Sequence, residues 1–232
     1  MFYGYGYYYD PTYILVIAAL LLGVIAQARM RSAFSKYSRV RSMRGLTGSE
    51  AARQILAANG ITDVQIERVG GDLTDHFDPR SKVLRLSEPV YASDSVAALG
   101  VAAHEAGHAL QKEQGYAMLS LRTIMVPVVN IGSTLAWPIF LAGYIFSWRP
   151  LVDAGILVFA AVVLFSLITL PVEFDASRRA NVMLAESGLF SQDELSGVRK
   201  VLNAAALTYV ASFVSTLLQL VRLILLARRR ND

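Results

Sequence analysis

Long apolar segments dominate the pattern of hydrophobic and polar positions along the chain. They occupy residues 13–28, 124–146, 151–172 and 204–227. A helix that spans a bilayer needs about 20 mostly apolar residues, so these segments predict a polytopic membrane protein. The first is short but uncharged, and no Lys or Arg precedes it, which indicates a retained anchor rather than a signal peptide. Four tyrosines before it are suited to the headgroup level of a bilayer: Tyr5, Tyr7, Tyr8 and Tyr9.

The second and third segments are joined only by residues 147–150, so they predict a tight membrane hairpin. Two buried helices of a soluble core are the alternative, which their length disfavours. The last segment differs because polar side chains recur along it three or four residues apart: Thr208, Ser212, Ser215, Thr216, Gln219 and Arg222. Such residues share one helical face. That face either packs against other helices, or lines a wet cavity or the membrane interface.

The composition agrees with a membrane protein. The chain is 54% hydrophobic and 17% charged, with a mean hydropathy of +0.43. Soluble domains carry about 25% charged residues. The absence of cysteine excludes disulfides and thiolate metal sites. The formal net charge of +4 is modest, and no nucleic-acid partner is expected.

The distribution of basic residues predicts an orientation in the membrane. They follow the first and third apolar segments: Arg29, Arg31, Lys36, Arg39, Arg41, Arg44, Arg178, Arg179, Arg199 and Lys200. The hairpin turn has only Arg149. The positive-inside rule then puts the amino terminus outside and residues 29–123 and 173–203 in the cytoplasm. If residues 204–227 cross the membrane, Arg228, Arg229 and Arg230 lie outside against that rule, so the sequence leaves this crossing open.

The cytoplasmic residues 29–123 have the pattern of a small α+β unit. Helices are predicted at 48–59 and 93–114, and strands at 61–69 and 82–86, with a turn-rich hairpin between and across the strands. Thr47 and Glu50 have the spacing of a capping box, and Gly60 is suited to end the first helix. The second helix is expected to have its cap at Ser93, Asp94 or Ser95.

The second of these helices contains the sequence VAAHEAGHALQ. His104 and His108 are four residues apart, so both imidazoles lie on one face and can reach one metal ion. Glu105 can stand beside that ion and accept a proton from a metal-bound water. The apolar flanks indicate a buried helix, where a metal-free pair of core histidines is the alternative. Gly107 leaves space against the metal-bearing face or permits close helix packing.

A catalytic zinc site usually has three protein ligands and a water, so one ligand is missing. No further histidine follows in the metzincin pattern, and the remaining candidates are acids. The hairpin has two spans, so it returns the chain to the side of the His104 helix at the sequence VEFDASRRA, where Pro171 is expected to kink or restart the helix. There Glu173 and Asp175 point about 200° apart, and only one of them can face the metal.

These residues resemble the YugP-type neutral zinc metallopeptidase family. The resemblance rests on YDPTY at residues 9–13, LTDHFDPRSKVLRLSEPVYASDSVAALGVAAHEAGHALQ at 73–111 and PVEFDASRRA at 171–180. The chain is also similar to HtpX- and Ste24-type membrane proteases. This resemblance implies a gluzincin-like site that opens to the cytoplasm, with Zn²⁺ bound by His104, His108 and Glu173 and with Glu105 as the base.

The chain departs from those relatives at Ser177, where they have the Asp of an E-x-x-A-D element. That Asp orients a zinc-bound histidine, and a serine hydroxyl can accept the same hydrogen bond without charge. Arg178 and Arg179 are expected to face lipid headgroups or a partner acid, and a role with substrate is the alternative. His76 is either a structural or solvated loop residue, or a donor to the reaction's oxyanion. The hairpin at 73–86 is either an ordinary sheet edge, or one on which a peptide adds as a strand.

The sequence therefore predicts a mainly α, polytopic helical membrane protein with a small α+β zincin-like cytoplasmic part that bears an HExxH helix. The expected segments are a membrane anchor at 1–28, the metalloprotease part at 29–123, the hairpin at 124–172, a cytoplasmic helical segment with the third ligand at 173–203 and an amphipathic or transmembrane helix at 204–232. The predicted function is that of a zinc endopeptidase of the cell membrane, acting on membrane-associated protein or peptide substrates in quality control. A non-catalytic zinc-containing scaffold or regulatory subunit is the alternative, and a metal transporter is disfavoured by the few ionisable groups in the spans.

Overall fold

The computed structural model describes residues 10–188 and 190–229, so the four tyrosines near the amino terminus and Arg230 lie outside the described residues. In this part of the chain the elements are α1 (Tyr13–Tyr37), α2 (Gly48–Ala58), β1 (Gln65–Val69), β2 (His76–Asp78), β3 (Val83–Ser87), α3 (Glu88–Tyr91), α4 (Val96–Glu113), α5 (Ala117–Ile145), α6 (Arg149–Glu186) and α7 (Gln192–Arg229). The predicted fold class is confirmed, because the chain is mainly helical with one small sheet.

Four helices, α1, α5, α6 and α7, are long and apolar enough to cross a membrane. Large apolar side chains cover their outward surfaces, for example Ile124 on α5 and Leu157 on α6, which are 71% and 72% exposed. In water such surfaces would be costly, whereas lipid tails accept them. Helices α5 and α6 form the tight hairpin, since α5 ends at Ile145 and α6 begins at Arg149.

Helix α6 continues without interruption through Pro171 to Glu186. Of the two effects expected at this proline, a kink or a restart of the helix, the restart does not occur. Pro171 lacks an amide hydrogen and leaves one carbonyl of the preceding turn without its helical partner, but the flanking turns still propagate. One continuous helix thus joins the apolar hairpin to the residues around Glu173.

The last helix, α7, runs antiparallel to α1 along most of its length. Gly197 packs against the Tyr37 ring at one end, and the Ser215 hydroxyl donates to the carbonyl of Ala19 further along. At the other end, Arg222 donates to the Thr12 hydroxyl at 3.3 Å. These contacts favour the interpretation in which the polar face of the last segment packs against a neighbouring helix. Because α7 is antiparallel to α1, its carboxyl end lies beside the amino end of α1.

The sheet has the strand order β1-β3-β2, in which β1 is parallel to β3 and β2 is antiparallel to it. Its central strand buries Leu84 and Leu86 fully. The capping box of Thr47 and Glu50 is confirmed at the start of α2. Helix α4 is capped by Ser95, whose hydroxyl accepts from the amide of Ala98. The short strand β2 is left at the edge of the sheet and contacts α4.

Helix α4 lies between the sheet, α2 and the two membrane helices α6 and α7. Small residues make these close approaches possible. A Cβ added to Gly107 would lie 2.7 Å from the carbonyl oxygen of Ala176, so the α4 and α6 backbones nearly touch there. Of the two roles foreseen for Gly107, close helix packing is the one that the structure has. This crossing brings the HExxH helix against the part of α6 that carries the third candidate ligand.

Candidate metal centre

His104 and His108 lie side by side on one face of α4, as their spacing predicts. Their ring centroids are 4.8 Å apart and their planes are nearly perpendicular, at 83°. The side chains are 13% and 8% exposed, so one edge of the pair remains accessible. A mostly buried pair of imidazoles with one open edge is suited to hold a metal ion that a substrate must still reach.

Glu173 of α6 completes the cluster. Its Oε2 atom lies 3.2 Å from Nε2 of His104 and 3.7 Å from Nε2 of His108. The three candidate ligand atoms all lie within 4.8 Å of one another, and the Glu173 side chain is 3% exposed. Asp175 is not part of this cluster, because its carboxylate accepts hydrogen bonds from Gln111 and Arg179 instead. Of the two acids, α6 therefore brings Glu173 to the histidines.

The protonation of His108 follows from its hydrogen bond to Gln111. The Gln111 amide nitrogen lies 2.8 Å from the carbonyl oxygen of Val172 and 2.9 Å from Oδ2 of Asp175. Both are acceptors, so this end of the side chain must be the NH₂ group. Oε1 of Gln111 then faces Nδ1 of His108 at 2.9 Å, and Nδ1 has to carry the proton. In the neutral imidazole, which is the form that binds a metal, Nε2 then keeps its lone pair on the side of Glu173.

This arrangement fits a bound zinc ion. A histidine nitrogen and a carboxylate oxygen that face each other without a proton repel, and a cation between them removes the repulsion. Tetrahedral bonds of about 2.0–2.2 Å to zinc place neighbouring ligand atoms roughly 3.3 Å apart. The two observed nitrogen-to-oxygen distances, 3.2 and 3.7 Å, bracket that value. The donor set of two imidazoles and one carboxylate is also typical of catalytic zinc.

Ser177 lies one turn beyond Glu173 and reaches the other histidine. Its hydroxyl oxygen is 3.1 Å from Nδ1 of His104. The hydroxyl can accept a hydrogen bond from this nitrogen, as the comparison with the E-x-x-A-D element led us to expect, and this directs Nε2 of His104 toward Glu173. Each histidine therefore has an uncharged partner on its far nitrogen, a hydroxyl for His104 and an amide for His108.

Glu105 is buried beside the cluster, with 7% of its surface exposed. Burial raises the pKa of its carboxyl to about 7, because the charged form loses water; His104 opposes this rise, while the carboxylate of Glu173 adds to it. The backbone amide of Phe77 on the edge strand donates a hydrogen bond to Glu105. Glu105 therefore lies where the HExxH spacing predicts, between the histidine pair and strand β2.

Three further residues at this centre were not found by sequence reasoning. Gln111 holds His108, Arg122 of α5 lies 3.3 Å from Oε1 of Glu173, and Tyr209 of α7 is within hydrogen-bonding reach of the same carboxylate. Gln111 could have been found from its position three residues after His108 on the same helical face. Arg122 could have been found as a charged residue at the start of an apolar segment. Tyr209 left no local signal, because its position depends on how α7 packs.

The other residues considered from the sequence lie away from the cluster. His76 is exposed on β2, where Nδ1 is 2.8 Å from the carbonyl oxygen of Thr74. It precedes Phe77, whose side chain is buried, so the two point to opposite faces of the sheet. Arg178 and Arg179 both bind Asp175, which is the partner acid that the sequence left open.

A buried HExxH helix, a carboxylate supplied by a membrane-hairpin helix and four long apolar helices define the class of polytopic membrane metallopeptidases. The chain matches the family described as "Putative neutral zinc metallopeptidase" over residues 12–228 and belongs to it. It is 49% identical over 218 residues to a protein of Bacillus subtilis (strain 168) described as "Putative membrane protease YugP", which covers 94% of this chain and 97% of that protein. No solved structure matches the chain. The resemblance stated from the sequence motifs is thereby confirmed.

Proposed function

We propose that this metallopeptidase is an endopeptidase embedded in the cell membrane, which cleaves membrane or membrane-proximal proteins at a site on the cytoplasmic side. The observation that carries the proposal is the position of the cluster. Glu173 lies on the same uninterrupted helix as the apolar hairpin, so the site is held beside the bilayer. A site in this place meets segments of membrane proteins sooner than it meets soluble chains, which supports a role in quality control.

In this proposal His104, His108 and Glu173 bind zinc and Glu105 is the general base. Zinc, when bound, polarises the peptide carbonyl and lowers the pKa of a water at the site to about 7. Glu105 takes the proton of the attacking water and delivers it to the leaving amine. Its buried position beside the histidine pair supports both steps, because it keeps the carboxylate at the centre where the proton is taken and delivered. Gln111 and Ser177 hold the two imidazoles in place.

The edge strand β2 supports the binding of an extended peptide. One side of β2 pairs with β3, while the amide of Phe77 faces Glu105 at the centre. A cavity of about 330 Å³ lies along this strand and reaches His108 and Arg122. A peptide that adds to β2 as a further strand would run past the histidines and place side chains in this cavity.

The orientation rests on charge. The end of α1 and the loop after it carry the basic residues Arg29, Arg31, Lys36, Arg39, Arg41 and Arg44. This loop contacts the start of α4, since the amide of Val96 donates to the carbonyl of Val40. The positive-inside rule puts that side in the cytoplasm. The opposite end of α1 lies outside in this orientation, where the positive-inside rule disfavours basic residues such as Arg229 of α7. Asp10 lies 3.1 Å from Arg229 and partly neutralises this charge.

The test uses the Glu105→Gln variant of the full chain. We expect it to retain zinc and to lose cleavage of casein or of an unfolded membrane protein, because glutamine cannot accept the proton. Unchanged cleavage would remove Glu105 as base. Absence of cleavage by the wild type across substrates would favour the scaffold alternative.

A separate measurement tests the ligand assignment. Zinc content should fall in Glu173→Ala and persist in Asp175→Ala, since only Glu173 faces the histidines. The reverse pattern would overturn the assignment of the third ligand.

A further inference from the structure

The two ends of the α1–α7 pair differ in whether their cations have an acidic partner. At the amino end of α1, Asp10 lies 3.1 Å from Arg229 and 3.9 Å from Arg222, so an acid of the chain pairs with both. Toward the carboxyl end of α1, three cations line one crevice: Arg29, Lys36 and Lys200. Among the described residues, none of these three has a carboxylate oxygen within 4 Å of its charged nitrogens.

These cations line a shallow crevice between α1 and α7, which we name the α1–α7 crevice. Its volume is about 450 Å³, and its other lining residues are Ala28, Ser32, Ala33 and Tyr37. The alanines and the serine have small side chains, which leave room for a ligand between the long side chains of the three cations. Within the described part of the chain, no acidic residue lines it. The hydroxyl of Ser32 and the phenol of Tyr37 add neutral hydrogen-bond donors to the three cations.

The crevice continues into an apolar surface. On α1, Leu21, Val24 and Ile25 lie one to two turns before Arg29, and they are 55%, 57% and 50% exposed. This stretch belongs to the part of α1 that can cross a membrane. A ligand that fits both surfaces therefore has an anionic head and an apolar tail. Clusters of Lys and Arg next to a membrane helix attract anionic lipids, by about 1 kcal/mol per cation near the membrane surface.

We propose that the α1–α7 crevice binds the phosphate of an anionic phospholipid, with the acyl chains lying along the exposed face of α1. Lys36 and Lys200 come from different helices, so one phosphate between them links α1 to α7. The anion replaces at this end of the pair the carboxylate that Asp10 supplies at the other. This inference does not depend on the catalytic proposal, because the crevice uses none of the residues of the metal centre.

The experiment measures lipid binding to the purified full chain in detergent by native mass spectrometry. The probes are phosphatidylglycerol and phosphatidylcholine, and the variant is Lys36→Ala/Lys200→Ala. Removal of two cations should weaken phosphatidylglycerol binding by about thirtyfold, which corresponds to about 2 kcal/mol. The matched control is Arg53→Ala/Lys112→Ala, which removes two exposed cations outside the crevice. It should change binding less than about threefold, and both variants should unfold at the wild-type temperature.

Each other outcome contradicts the proposal. Equal losses in the two variants would mean that the lipid responds to overall charge and not to this crevice. Equal binding of phosphatidylcholine and phosphatidylglycerol would mean that only the apolar face contributes. Complete displacement of phosphatidylglycerol by excess inorganic phosphate, with no difference between lipids, would mean that the site takes a free anion.

Discussion

The replacement Gln111→Leu tests how the metal centre is held together. Leucine has nearly the volume of glutamine, so the fully buried site stays filled. The change removes the acceptor that holds Nδ1 of His108. The two groups that receive the Gln111 amide have other partners, because Asp175 keeps its arginines and the carbonyl of Val172 lies inside a helix. His108 is therefore the residue that the replacement leaves without its hydrogen-bond partner.

The expected change in zinc affinity follows from the loss of this hydrogen bond to His108. Removal of a partner that orients a metal-bound histidine lowers metal affinity by about 10- to 100-fold. This equals about 1.4–2.7 kcal/mol in zinc binding. The zinc-free protein should lose stability as well, because leucine removes all three hydrogen bonds of Gln111, at about 0.5–1.5 kcal/mol for each neutral one.

Two measurements on the full chain in detergent separate these effects. Zinc affinity is obtained by competition with a chelator, and stability by thermal unfolding with and without zinc. The control is Gln54→Ala, which removes an exposed glutamine of α2 and should leave zinc affinity unchanged. Zinc affinity within about twofold of the wild type, in a folded Gln111→Leu protein, would refute the reasoning.

Three further predictions address other parts of the molecule. Ser177→Ala should weaken zinc binding by about tenfold, because it removes the acceptor beside Nδ1 of His104. Ser177→Asp should strengthen zinc binding by about tenfold, because a charged acceptor makes the bound imidazole more basic. Equal zinc affinities of these proteins in a chelator titration would contradict the prediction. Gly107→Ala should lower both thermal stability and zinc content, since its Cβ would meet the α6 backbone at 2.7 Å, whereas Gly23→Ala meets nothing within 4 Å and should change neither. Because the chain has no cysteine, single cysteines can report topology: a membrane-impermeant maleimide should label Phe146→Cys but not Met43→Cys in intact cells, and the opposite labelling would reverse the orientation.

The sequence was informative wherever a function depends on local spacing. The interval of four residues between His104 and His108 fixes a shared helical face, and the same interval links Glu173 to Ser177. The count of two spans between the histidines and Glu173 correctly returned the chain to the same side, because a helical hairpin has to bring its ends together. These inferences need only the geometry of a helix, which does not depend on the neighbouring elements.

The parts that sequence reasoning missed depend on packing between distant segments. Tyr209 reaches Glu173 only because α7 packs against α6 and α4, and its residue type does not encode that contact. The parallel pairing of β1 with β3 is similar, since alternation predicts strands and their faces but not their order. A restart was one of the two effects expected at Pro171, and it does not occur because a membrane helix can lose one hydrogen bond and continue.

The contacts of Glu173 also bear on the choice between a catalytic and a structural metal. One oxygen, Oε2, faces both histidines, while the other, Oε1, faces Arg122 at 3.3 Å. Arg122 thereby competes for the second oxygen and favours binding of a metal through one oxygen only. Three protein ligands would then hold the zinc, which is the number in catalytic sites, whereas structural sites have four protein ligands and no position for water or substrate. A scaffold that used zinc only for folding would gain nothing from an open position beside a buried base such as Glu105. The arrangement around this one carboxylate therefore favours the peptidase over the scaffold.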